Sequence, residues 1–158
     1  MSHKDNDQTS QEDTGDTVII SVHDAHLIAD ALLNCEPRHT IYGADWHTAA
    51  HGPLTALLYT ASPVGNRGGI AWVDHAINNV DTDTTTPGWR HAAHICRINA
   101  LSAAPADTAL IGGLADQLRQ PISSRQHQSI TYTLREAITP WLAQPHFLRV
   151  PATLQVPT

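Results

Sequence analysis

Eleven histidines in 158 residues are the first feature of this sequence that could do chemistry. Four of them form two pairs, His47-x-x-x-His51 and His91-x-x-His94. Spacings of four and three residues put both imidazoles of a pair on one helical face. Two such helices facing each other could hold a zinc ion through ring nitrogens. Hydrolases of the H-E-x-x-H kind carry a glutamate between the histidines, whereas Thr48, Ala49 and Ala50 stand there in this chain. A helical zinc-binding protein or enzyme is therefore one reading. The competing reading is chance pairing in a histidine-rich sequence.

Other chemistries find less support. The sequence has no G-x-S-x-G, and neither Cys35 nor Cys96 sits in a catalytic-thiol signature. Asn66-Arg67-Gly68-Gly69, just ahead of a helix, could receive an anion at the helix N-terminus, or could simply be a corner that needs glycine. Lys4 is the last lysine, so a G-x-x-x-x-G-K-[ST] phosphate loop cannot occur in the chain. No catalytic residue and no cofactor is assigned. The four tryptophans fall at helical spacing and read as core residues rather than base-stacking platforms.

The densest apolar pattern lies between Asp45 and Val80. Trp46, Ala50, Leu54, Leu57, Leu58 and Ala61 recur at the spacing of one helical face, and Ile70, Val73, Ile77 and Val80 form another. Ser62-Pro63-Val64-Gly65-Asn66 separates them, which predicts a helical hairpin. Asp45 suits an N-cap, and Pro53 inside the first helix predicts a kink near His51. Upstream, Thr17 to Val22 is β-branched but has no second strand to pair with, so it should be extended or join the following helix. That helix should be capped by Asp24, present Leu27, Ala31 and Leu32 inward, and stop before Pro37.

Downstream, Thr86-Pro87 reads as cap and first turn of a helix from Trp89 to about Leu101, burying Trp89, Ala92, Ala93, Cys96 and Ala100. Pro105 opens a helix to about Arg119 with Leu110, Leu114 and Leu118 inward. Gly112-Gly113 in its middle should mark either a close neighbouring backbone or a break. Ser123-x-x-Gln126 is a capping box opening a last helix, whose face is His127, Ile130, Leu134, Ile138 and Trp141 and whose end Pro140 should bend. The expected fold is an all-α, single-domain orthogonal bundle of about six helices over residues 17–148. A disordered acidic tail over 1–16 and an extended tail over 149–158 should flank it.

Charge sharpens the expectation. Residues 1–16 carry a net charge of −4 and the other 142 residues −2, with eight arginines and no lysine. No basic run advertises nucleic-acid binding. No apolar run approaches the ~18 residues of a membrane span, and the acidic N-terminus does not resemble a signal peptide. A cytoplasmic location without membrane insertion is expected, with both cysteines reduced.

Particular residues add a resemblance. They are Asp45-Trp46, the run Pro53 to Pro63 (PLTALLYTASP), Gly68 to Val73 (GGIAWV), Gly88 to Ala93 (GWRHAA) and Arg125 to Leu142 (RQHQSITYTLREAITPWL). In order and spacing they resemble the helical insertion, or all-α domain, of actinobacterial TraG/TraD-like coupling proteins of type IV secretion, the DNA pumps of conjugation. The resemblance covers about Asp24 to Leu148. Those pumps are ATPases with Walker motifs and usually membrane helices, none of which is present here. The resemblance implies a stand-alone all-α domain without its motor, docking on DNA, a relaxosome protein or a coupling ATPase in plasmid transfer. On that reading Arg67, Arg90, Arg97 and Arg125 would position phosphates. A decayed fragment that folds but does nothing is the remaining alternative.

Overall fold

The computed structural model describes residue 19 and residues 21–35, 46–81 and 83–143. The acidic tail, the Asp45 cap and the extended C-terminal tail lie outside the described residues. Within them the chain is helical: α1 (Val22–Cys35), α2 (Trp46–Ala61), α3 (Gly69–Ala76), α4 (Trp89–Ser102), α5 (Pro105–Arg119) and α6 (Ser124–Leu142), with no strand among the described residues. The all-helical expectation is met.

α2 is the centre. Every residue from Pro53 to Ser62 is buried, and the helix packs against all five others. A helix apolar on every side is stable only when surrounded. α2 runs unbroken through Pro53, although the proline ring removes the hydrogen bond to the Ala49 carbonyl. The Thr55 hydroxyl also donates to the His51 carbonyl at 2.7 Å. Both features bend helices, and both act near His51, where the kink is expected.

The helix ends in a corner that needs its glycine. A Cβ on Gly65 would stand 2.1 Å from the Thr60 carbonyl oxygen. Asn66 N–H donates to that same carbonyl at 2.6 Å, and Arg67 takes the left-handed conformation with φ 63°. α3 then folds back, burying Val73, Ala76 and Ile77 with Ile70 and Val80 at the margin, as the apolar spacing predicts. Arg135 of α6 donates to the Asp74 carboxylate at 2.7 Å and ties α3 to α6.

Expectations in three of the helices need correction. In α1, Ser21 rather than Asp24 is the cap, its hydroxyl accepting from Asp24 N–H at 3.2 Å. Leu27 is 68% exposed, and the buried face is Val22, Ala25, Ala29, Leu32 and Leu33. That face keeps helical spacing, but is rotated away from the one expected. Before α4, Thr86 is not the N-cap, because its N–H and hydroxyl both bond to Asp83 Oδ1. Gly88 precedes α4 instead, and Trp89 anchors it by donating its ring N–H to the Ile77 carbonyl at 3.0 Å. In α5, Ile111, Leu114, Ala115 and Leu118 face inward, whereas Leu110 is 47% exposed.

The capping box of α6 is present as read, with Gln126 N–H donating to Ser123 Oγ and Ser123 N–H to Gln126 Oε1. Gly112 and Gly113 neither break α5 nor meet a neighbour: a Cβ at either would find nothing within 4 Å. Their only effect is then the backbone entropy of glycine in a helix, about 1 kcal/mol each relative to alanine. Gly112→Ala/Gly113→Ala should therefore stabilise the fold by about 2 kcal/mol and raise Tm by roughly 5 °C. Thermal melting followed by circular dichroism checks this. An unchanged or lower Tm would mean that something does pack on this face.

Candidate functional site

The helical spacing that buries Trp89, Ala92, Ala93 and Cys96 leaves Arg90, His94 and Arg97 together on the other side of α4. They stand at i, i+4 and i+7, one above another. α5 ends nearby in Arg119, and Gln120-Pro121-Ile122 leads into α6. These parts enclose a cleft of about 680 Å³ lined by Arg90, His94, Arg97, Arg119, Ser124 and His127, among others. Ser124 is the first residue of α6, so the positive end of that helix's macrodipole opens on the cleft. His127, one turn further, meets Trp89 edge-on at 5.4 Å between ring centroids. Its Nε2 is buried without a hydrogen-bond partner among the described residues.

Three arginines thus line one cleft, with Asp81 the single acidic residue lining it among the described residues. Arg90 and Asp81 lie 3.5 Å apart, but their side chains are 59% and 88% exposed. A pair so solvated is worth little and leaves Arg90 available to another anion. The arrangement can hold a phosphate or a short run of phosphates, since guanidinium forks match their oxygens bidentately.

Of the arginines singled out from the sequence, the structure brings Arg90 and Arg97 together. Arg67 sits in the α2–α3 corner and Arg125 on the exposed face of α6, and neither lines this cleft. Arg119 was missed. In sequence it is only the basic last turn of a helix; its membership depends on how α5 packs beside α4.

The four paired histidines are not gathered. His94 lines the cationic cleft. His91 is held by loops, with Nδ1 2.7 Å from the Thr84 carbonyl and Nε2 3.1 Å from the Asn66 amide nitrogen. The Asn66 Oδ1 accepts from Gly68 N–H at 2.8 Å, which points the Asn66 NH₂ at His91. His91 Nδ1 therefore carries the proton, donated to Thr84, and Nε2 accepts. His47 and His51 line a second cleft, also about 680 Å³. No group of three or more His, Cys, Asp or Glu among the described residues is placed to hold a metal. The four-histidine zinc site fails because its two pairs serve different clefts and a loop contact.

In the second cleft His51 meets His26 edge-on at 4.4 Å between ring centroids. Burial, then the neighbouring His26, holds the His51 pKa below 6.5, and Asp30 opposes this less strongly. A depressed histidine pKa means that the unfolded chain binds more protons, so stability is full above 6.5 and falls as pH drops below it. Stability by urea unfolding should decline as pH is lowered through 6.5, and His51→Gln should flatten that decline. A variant with the full decline would place the effect elsewhere.

Cys96 offers no nucleophile. Burial pushes its thiol up to about 11, with only the Thr60 hydroxyl, 3.9 Å away, opposing. It is a free thiol that stays protonated.

Fold and site together define a protein that is all-helical over its described residues, with a cationic cleft between α4, the end of α5 and the start of α6. Compared with models of known protein families, curated proteins and solved structures, the chain matches none. No helix of the described residues is long and apolar enough to cross a membrane.

Proposed function

We propose that this protein is a non-catalytic, cytoplasmic binding module that engages phosphate groups of nucleic acid, as an accessory of conjugative DNA transfer. The cleft of Arg90, Arg97 and Arg119 at the N-terminus of α6 is the observation that carries the phosphate part of this reading. The transfer context rests on the residues that resemble the all-α domain of coupling proteins. In that context the partner side would be a relaxosome protein or a coupling ATPase.

The physics limits the affinity. The chain's net charge of −6 repels a polyanion at long range, and only the cleft attracts it locally. Three phosphate contacts give a salt dependence of log K of about −3. Fluorescence anisotropy of labelled DNA at low and moderate salt tests this. Binding that weakens with salt and ignores a chelator is the expected result, and no binding at low salt would sink the proposal. For the conjugation context, the expected result is a fall in plasmid transfer frequency on deleting the gene; an unchanged frequency would remove that context alone.

A further inference from the structure

The two clefts are neighbours. Gln120 and Ile122 line both, and Trp89, which lines the second, meets His127 of the first ring to ring. The second cleft carries a different chemistry. Trp46 is half-buried and packed against the core, which makes it a rigid aromatic wall. Gln117 and Gln120 line the same space, the Gln117 carboxamide lying against Gly52, and a carboxamide offers a donor pair and an acceptor. His47, also in the lining, has a buried Nδ1 without a hydrogen-bond partner among the described residues.

A flat apolar wall with carboxamide edges is the chemistry that receives an unstacked nucleobase: the ring stacks, and donor–acceptor pairs meet its edge. We infer that the second cleft is a nucleobase pocket. The two clefts together then hold a nucleoside phosphate, its phosphate on the arginines and its base against Trp46. This rests on the phosphate-binding reading of the first cleft. It adds selectivity, because a duplex keeps its bases stacked and paired and can offer only its backbone. The same nucleoside phosphate could be a free nucleotide or one unit of a single strand.

Gly52 supplies a test that spares the fold. A Cβ there would stand 1.6 Å from Gln117 Oε1, the far end of a flexible side chain. Gly52→Ala therefore pushes that carboxamide aside without moving backbone.

The experiment compares a labelled twelve-nucleotide thymidine strand with an abasic strand of equal length and charge, at low salt. The thymidine strand should bind about tenfold more tightly, the size of one base–aromatic stack. Trp46→Leu should bring it down to the abasic level and leave abasic binding unchanged. Gly52→Ala should weaken only the thymidine strand, several-fold, and carries the test if Trp46→Leu does not fold. Thymidine monophosphate as competitor separates the sources: displacement of the strand supports a free nucleotide, and failure to displace a strand that still binds supports a single strand. Equal binding of abasic and thymidine strands overturns the base pocket and leaves the cationic cleft standing. Absence of binding by either strand overturns both.

Discussion

Leu57→Ala is expected to lower the stability of this fold by about 3 kcal/mol, within the range for deleting a buried leucine side chain. Leu57 is fully buried on α2, the helix that packs against all the others, and Leu54 and Leu58 beside it are equally buried. The loss combines the transfer free energy of the removed carbons with the cavity that rigid neighbours cannot close. Against a typical total of about 5–15 kcal/mol, such a loss is large. Leu101→Ala is the matched control, because Leu101 is 86% exposed; its effect should stay within about 0.5 kcal/mol. Urea unfolding of both variants decides the matter. Similar midpoints for the two would mean that α2 is not the centre of the bundle.

Replacing Arg90, Arg97 and Arg119 together with glutamine should reduce low-salt DNA affinity by more than about tenfold and remove about three from the salt slope, one per lost phosphate contact. Glutamine keeps much of the side-chain bulk, so helix packing should survive. The substitution also moves net charge from −6 to −9 by removing three positive charges, which alone would weaken attraction for a polyanion. Arg67→Gln/Arg125→Gln controls for that, since both arginines lie outside the cleft. It should cost much less affinity and leave most of the slope. If the double variant loses as much as the triple, binding follows net charge and the cleft has no special role.

The contrast between these arginines shows what a sequence reading can reach. Arg90, His94 and Arg97 at i, i+4 and i+7 form a basic stripe visible from spacing alone. The same spacing rule put His91 and His94 on one face, yet three residues are about 300° around a helix, leaving about 60° between the two rings. That offset is enough to send one ring to the Asn66–Thr84 loops and the other to the cleft. Spacing measures nearness on one helix and carries no knowledge of the neighbour that each side chain meets.

Local signals of short range were legible for the same reason that they form: each is complete within a few residues. The capping box at Ser123, the hairpin corner at Gly65 and the apolar run of α2 needed no partner to be recognised. The errors fell where several local solutions were equally good. Ser21 and Asp24 could each cap α1, Thr86 could cap α4 or close a turn on Asp83, and Leu27 or Leu33 could face inward. For the face of α1, packing chose, because burying one face against α2 excludes the others.

By itself, then, the sequence determined that this protein is helical, where its helices run, and that α2 carries the densest apolar pattern, since periodicity and capping act within a single segment. That α2 is buried all round came from the structure. Tertiary structure alone decided which helix ends meet. Arg119 and the N-terminus of α6 join the α4 stripe, and Gln120 and Ile122 come to separate two clefts. Those meetings depend on how helices pack across long stretches of chain, and no spacing within one helix encodes them.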